Sequence, residues 1–367
     1  MGRNTEFRIA VIPGDGIGVE VTEAAFAVAE AAVARVGGFS LRQERLDAGA
    51  AYYAETGKDV APGVFEAAEA ADAVFLGAIG LPSVRYPDGT EISPHLRMRD
   101  QFGLFAGVRP VKAYPNTRLY LADPRAAQID LVILRESTEG LFYTHGRGEI
   151  IDDREARETL RISRETSERL FDFAFDLARR RKERGGKGKV TCVDKANVFR
   201  AYAFFRKIFD ERAALNPDIT ADHAYVDAQA LYLIRKPWEA DVLVMENMFG
   251  DILSDLAGGL IGGMGMASCA EIGPEHGLFQ PAHGSAPDIA GQDKANPIAA
   301  ILSAGLMLDW LGARHEVSHA SEAGQLIEQA VETGFADKRL DPVEFGGAQG
   351  TREVTQTLID IVRGAQG

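Results

Sequence analysis

Residues 245–265 read MENMFGDILSDLAGGLIGGMG. The passage from strand to helix in this stretch sets the architecture. Leading into it, Ala240 to Met245 (ADVLVM) is an apolar run of the kind that forms a buried strand. Asp251 and Asp255 follow, spaced so that at about 3.6 residues per turn both carboxylates stack on one helix face. Behind them Gly258, Gly259, Gly262, Gly263 and Gly265 rule out a long regular helix. Two hard oxygen ligands on one face suit Mg²⁺ or Mn²⁺, which accept a few carboxylates and keep positions for water and substrate. A competing reading is that the pair only complements the positive end of the helix dipole.

Working outward, short apolar runs alternate with helical patterns along the whole chain. Arg8 to Pro13 (RIAVIP) is predicted as a strand, Gly14-Asp15-Gly16-Ile17-Gly18 as a turn, and Val19 to Val36 as a helix. This opening resembles a dinucleotide-binding turn, but G-x-G-x-x-G would need glycine where Val19 stands. Further strands are expected at Phe39 to Leu46, Ala73 to Gly77, Leu131 to Leu134, Lys189 to Val193 and Thr220 to Tyr225. Helices are expected at Val64 to Ala71, His95 to Phe102, Asn197 to Arg212, Pro297 to Leu311, Ser321 to Thr333 and Glu353 to Val362. Glu155 to Arg184 reads as one long helix, and the polar stretch before it as a projecting arm near 142–154. Strand and helix in alternation specify an α/β fold.

The totals narrow the function. A chain of 367 residues suggests two domains or one large one. The net charge of −14 argues against nucleic acid or an anionic membrane as the main partner, so a small anionic substrate would need a local basic cluster. No apolar run reaches bilayer length. With no secretory signal and only Cys192 and Cys269, neither in a metal or redox spacing, a cytoplasmic protein is expected.

Basic candidates do occur. Arg99, Arg109 and Arg135 stand at the ends of elements, and three converging guanidinium forks can bind a di-acid. Taken singly, each could equally be a surface ion pair. Lys195, after the strand KVTCVD, is placed for proton transfer or for a salt bridge near Asp194. Asp227 follows another strand and would be a third metal carboxylate. The segment His283-Gly284-Ser285-Ala286-Pro287-Asp288, with Asn296 beyond, offers close-approach backbone for phosphates and an acid for ribose hydroxyls, or is an ordinary loop.

Seven segments together, IPGDGIG, LRMRDQFGLFAGVRP, LRESTEG, VDKANV, YVDAQA, FGDILSDLAGGLIGGMG and HGSAPDIAG with KANP, resemble the isocitrate/isopropylmalate dehydrogenase family of β-decarboxylating dehydrogenases. The resemblance implies two α/β domains sharing a large mixed sheet, not a true Rossmann fold. It places 1–104 with 262–367 in a larger nucleotide-binding domain, and 105–261 in a smaller domain for dimerisation, metal and substrate. It implies NAD, with Mg²⁺ or Mn²⁺, and a homodimer with shared active sites. In this scheme Arg99, Arg109 and Arg135 hold the malate-type carboxylates. Asp251 and Asp255 bind the metal with Asp227 from the other subunit, and Lys195, also from the other subunit, takes the hydroxyl proton. His283, Gly284, Ser285, Ala286, Asp288 and Asn296 form the nucleotide loop. Asp288 and Ile289 stand where NADP-dependent members carry lysine and tyrosine, which favours NAD because a 2′-phosphate beside Asp288 is repelled.

The chain departs from the family pattern at two places. Phe142 occupies the position of the family's catalytic tyrosine and Tyr143 comes one later, so Tyr143 is expected to serve through a one-residue bulge, with water or Lys195 as the alternative donor. Ahead of Arg99, Ile92, His95 and Leu96 replace the glutamate and leucine pair of isopropylmalate enzymes, and Ser93 falls where isocitrate enzymes use a serine for the extra carboxylate, making a more polar pocket. The expected activity is oxidative decarboxylation of a (2R)-malate-type hydroxy-diacid of the isopropylmalate, D-malate or tartrate class. A non-catalytic paralogue that binds a di-acid is the alternative, and a Rossmann 2-hydroxy-acid dehydrogenase is disfavoured.

Overall fold

The computed structural model describes residues 5–364, so Met1–Asn4 of the N-terminal stretch lie outside it. Two units emerge, one built from 1–102, 114–118 and 262–367 and the other from 103–113 and 119–261.

The first unit opens with β1 (Thr5–Gly14), α1 (Gly18–Val36), β2 (Phe39–Arg45), α2 (Ala50–Thr56), α3 (Val64–Ala70), β3 (Ala73–Ala78) and α4 (Pro94–Gln101). The second contributes β4 (Ala106–Lys112), β5 (Asp130–Glu136), β6 (Glu149–Ile151), β7 (Glu155–Arg157), α5 (Arg164–Glu183), β8 (Lys189–Asp194) and α6 (Arg200–Ala213). It continues through β9 (Thr220–Tyr225), α7 (Val226–Arg235), β10 (Val242–Met245) and α8 (Asn247–Leu260). The chain then completes the first unit with β11 (Ser268–Ile272), β12 (Gly277–Pro281), α9 (Ile298–His315), α10 (Ser318–Ala336) and α11 (Thr351–Val362).

Strands of the first unit run in the order β2-β1-β3-β12-β11, parallel except for the antiparallel β11/β12 pair. Those of the second run β4-β5-β10-β8-β9, parallel except for β4/β5. The mixed α/β class is as expected from the sequence, and the buried runs FRIAVI and VLVM are the parallel strands that need cover on both faces. In the first unit α1 packs Phe26 edge-on to Phe75 of β3, ring centroids 5.1 Å apart. In the second, α5 and α6 interleave Phe171, Phe175, Phe205 and Phe209, all buried. Each such ring contributes about 1.5–3 kcal/mol of burial.

Three expectations are corrected. Glu155 to Arg184 is not one helix: Glu155–Arg157 pairs with Glu149–Ile151 as a hairpin, turned by Asp152 and Asp153, both at φ 52°. Aspartate tolerates that left-handed backbone. The helix starts only at Arg164, where the Ser163 side chain accepts from the Thr166 amide. The helix α8 continues through Gly258 and Gly259 and stops only before Gly262 and Gly263, whose φ values of 126° and 136° leave helical space. Finally, α6 begins at Arg200 rather than Asn197, because the Val198 and Phe199 amides close a turn on the Lys195 carbonyl.

The IPGDGIG turn is held by a side chain as well as by its glycines. Buried Asp15 accepts from the amides of Ala50 and Ala51, at the start of α2, and from Gly80, at 2.7, 2.8 and 2.8 Å. Asp15→Ala leaves these donors without a carboxylate. We expect a loss of about 2–4 kcal/mol in the urea unfolding of the first unit. A loss below about 1 kcal/mol would mean that water replaces the carboxylate and the tie is dispensable.

Candidate active site

Arg109, Arg135, Asp251 and Asp255 all lie in the second unit. Arg135 closes β5 beside Met245 of β10, with only a few per cent of its side chain exposed. Its Nε and Nη2 both donate to Asn247 Oδ1, at 3.0 and 2.6 Å, and its Nη1 pairs with Asp251. A glycine at 250 lets it pass, since a Cβ there would sit 2.6 Å from the Arg135 Cβ. Arg109 is on β4, opposite Ile133 of β5, and is also buried.

Asp251 and Asp255 project from the exposed face of α8, as the spacing predicted. The helix-dipole explanation fails here. Glu246 is the N-cap, its side chain accepting from the Met248 amide, and the first turn contains no acid. Asp251, the fifth residue of α8, and Asp255, the ninth, therefore lie past the first turn, where the dipole acts. Partial desolvation, and then the like charge of Asp251, hold the Asp255 carboxyl above its ordinary range, while Arg109 and Arg135 oppose the shift. This is a pair of carboxylates short of positive charge.

Lys195, at the end of β8, pairs with Asp227 on the first turn of α7 at 2.6 Å. That hydrogen bond holds the Asp227 carboxyl below its usual range. Asp194 is not the lysine's partner, since it is gripped by both Nε and Nη2 of Arg206. Among the described residues no three acidic, histidine or cysteine side chains gather as a metal cluster, so one chain does not bring Asp227 to Asp251 and Asp255. The expected bulge at Tyr143 is absent. Leu141–Thr144 is a single 3₁₀ turn, which sets the Phe142 ring 5.6 Å from the Arg135 guanidinium and puts Tyr143 against Arg161 and Arg147.

In the first unit, Arg99 on α4 donates through Nη2 to buried Glu271 of β11 at 2.9 Å, so this arginine is tied by an internal ion pair. Ser93 precedes α4 without capping it and donates instead to the Glu91 carbonyl at 3.1 Å, and His95 lies half-buried in the first turn. The nucleotide loop is pinned at Ser285. Its carbonyl accepts from the Ile17 amide at 2.8 Å, and its hydroxyl donates to the Gly80 carbonyl. Gly16, at φ 56°, must be glycine because any Cβ would run into the Ser285 carbonyl.

Gly284 and Asp288 are exposed, and Ala286 adopts a positive φ of 34°. His283 Nδ1 lies 2.9 Å from the Gly284 carbonyl, so it carries the proton. Burial depresses the ring's pKa and keeps it neutral. The buried Nε2 is thus an acceptor that no described residue fills. Asn296 is oriented by Glu344, which accepts from its Nδ2 at 2.9 Å.

Sequence reasoning missed Asp15, Asn247, Glu246 and Glu344. The first three had a signal, a polar residue directly at the end of a buried apolar strand. Glu344 had none, because its contact spans 48 residues.

Comparison with known proteins accounts for this arrangement. A sequence profile described as isocitrate/isopropylmalate dehydrogenase matches residues 8–362. A 3-isopropylmalate/3-methylmalate dehydrogenase of Methanocaldococcus jannaschii is 42% identical over 357 residues, covering 97% of this chain and 99% of its own. A 3-isopropylmalate dehydrogenase of Anaeromyxobacter dehalogenans is 40% identical over 361 residues, covering 96% and 98%. Among solved structures, the isocitrate dehydrogenase of Methylococcus capsulatus superposes with a TM-score of 0.83 at 34% identity over 97% of this chain and 99% of its own. The apo form of a beta-decarboxylating dehydrogenase from Thermococcus kodakarensis gives 0.78 at 36% identity over 98% and 96%. On this evidence the chain belongs to the isocitrate/isopropylmalate dehydrogenase family.

Proposed function

We propose that this protein catalyses NAD-dependent, divalent-metal-dependent oxidative decarboxylation of a (2R)-malate-type hydroxy-diacid to a 2-oxo acid and CO₂. The observation that carries the reading is the cluster of buried Arg135 and Arg109 beside the stacked, exposed pair Asp251 and Asp255. Two guanidinium groups next to two carboxylates suit a ligand that presents carboxylates together with a cation.

The donor set fits Mg²⁺ or Mn²⁺, being all oxygen, and a dication relieves the like-charge repulsion that raises the Asp255 carboxyl. Asp251 and Asp255 would hold it together with Asp227 of a second subunit. Bound there, a dication lowers the pKa of a coordinated hydroxyl and stabilises negative charge on the neighbouring oxygens. Arg109 and Arg135 orient the carboxylates, and Arg99 adds to them if a ligand draws it from Glu271. Lys195, positioned by Asp227, would move the hydroxyl proton. For the last protonation Lys195 is better supported than Tyr143, since Phe142 and not Tyr143 lies against Arg135. On the nucleotide side His283, Gly284, Ser285, Ala286, Asp288 and Asn296 would hold NAD. The unfilled His283 Nε2 accepts from an N–H or hydroxyl of the adenosine, and exposed Asp288 takes the ribose hydroxyls and repels a 2′-phosphate.

Several features support a homodimer. The neighbouring helices α7 and α8 expose the large apolar side chains Leu231, Ile234, Met248 and Ile252, which a second copy would cover. Two buried free thiols agree with a cytoplasmic enzyme, and among the described residues no helix is long and apolar enough to cross a membrane. Half-buried Ser93 and His95 favour a substrate with a small or polar group at carbon 3, whereas the printed names of the relatives point to methyl and isopropyl groups.

A panel of D-malate, tartrate, 3-isopropylmalate, isocitrate and homoisocitrate with NAD and Mn²⁺ tests the assignment, reading NADH and CO₂ together. Equal release of both from one malate is expected, with NADP much poorer. Phe142 at Arg135 favours the rival reading of a binding protein, which predicts neither product from any of them. Asp251→Asn should lower kcat/KM by roughly 100-fold or more even at saturating Mn²⁺, and unchanged turnover would remove the metal assignment. Shared sites have a sharper signature. Arg135→Ala and Lys195→Ala chains, each inactive alone, should regain about a quarter of wild-type activity when refolded together, because half the dimers are mixed and each holds one intact site. No recovery would place Lys195 and Arg135 in the same chain's site.

A further inference from the structure

Asn247 is the first residue of α8, and none of its surface reaches solvent. Each polar atom of its carboxamide has a partner. Oδ1 accepts from Arg135 Nε and Nη2, and Nδ2 donates to the Glu139 carbonyl at 3.0 Å. Glu139 is itself fixed, its carboxylate accepting from the Ser163 amide and hydroxyl at 2.7 and 2.6 Å, at the N-cap of α5. A continuous tie therefore runs from the start of α5 through Glu139 and Asn247 to the Arg135 guanidinium. Two donors on one acceptor fix the plane of the guanidinium as well as its position, and they use its Nε/Nη2 edge while Nη1 points to Asp251.

The charge of the acceptor matters as much as its place. A carboxylate at position 247 would form stronger bonds to Arg135 but would share its positive charge, weakening it for any carboxylate ligand. A carboxamide holds the fork without neutralising it. The side chain lies close against the helix, since a Cβ on Gly250 would sit 2.7 Å from the Arg135 Cγ, and Phe142 covers the guanidinium face.

We propose that Asn247 is a positioning residue for the di-acid, a neutral acceptor that sets the plane of Arg135 and adds no second negative charge to that of Asp251 on the guanidinium that meets a substrate carboxylate. The inference rests on the reading of Arg135 as a carboxylate-binding residue.

Steady-state NADH formation with D-malate and with 3-isopropylmalate, at saturating Mn²⁺, tests it on Asn247→Ser, Asn247→Asp, Arg135→Lys and the Ser/Lys double variant, with a thermal melt of each. In Asn247→Ser the KM for the acid should rise roughly tenfold, as expected for loss of hydrogen bonds to a charged group, with the KM for NAD unchanged. Asn247→Asp, which keeps the shape, should raise the acid KM at least as much. In the Arg135→Lys background Asn247→Ser should add little, so the fold-changes fall short of their product. The proposal is overturned if Asn247→Ser only lowers the melting temperature, if it raises both KM values together, or if Asn247→Asp has no effect. Arg135→Lys with an unchanged acid KM would remove the carboxylate-binding reading and the positioning role with it. A large Arg135→Lys effect beside a silent Asn247→Ser would remove the positioning role alone.

Discussion

The hydrogen bonds and ion pair that tie Arg135 to Asn247 and Asp251 are the constraint on which the arginine and aspartate cluster of the second unit depends. A guanidinium this far from solvent is costly to bury unless its donors are met. Here they are met by two residues of one helix, and the end of β5 is thereby fixed to the start of α8. The helix in turn carries Asp251 and Asp255. Registering the strand against the helix therefore registers the guanidinium against both aspartates.

The first unit uses the same device with opposite polarity. There a buried carboxylate, Asp15, gathers backbone amides from α2 and from the turn after β3, and the Ser285 loop is bonded to the segments it holds. Guanidinium groups organise the cluster of the second unit, which suits the anionic ligand proposed for it. Backbone amides and glycine organise the Ser285 loop, which suits the phosphate proposed there, since a phosphate requires the main chain itself to come close. Net charge of −14 is compatible with both, since Arg99 and Arg135 are buried and paired, with Glu271 and Asp251.

Much of the fold was legible in the sequence, because apolar strands such as ADVLVM and amphipathic helices such as Ser318–Ala336 announce themselves by period and length. The strands that escaped, β4, β11 and β12, carry residues that do not belong in a simple apolar run: Arg109 and Pro110, Glu271, Gln280 and Pro281. Buried charge disguises a strand. It is tolerated because a partner lies elsewhere in the chain, as Arg99 does for Glu271. The hairpin at 149–157 was read as helix for the related reason that three-residue strands are too short to show a period.

For the site, the sequence by itself determined which chemistries are present. The spacing of Asp251 and Asp255 fixes their common face, since helix geometry is local. The motifs from IPGDGIG to HGSAPDIAG fix the family. Only the tertiary structure decided which of those groups meet. It set Phe142 rather than Tyr143 against Arg135, gave Lys195 to Asp227 instead of Asp194, and made Asn247 the holder of the guanidinium plane. Each of these depends on residues far apart in the chain, 112 positions for Arg135 and Asn247, and a distance of that kind is set by how strands and helices pack, not by local pattern.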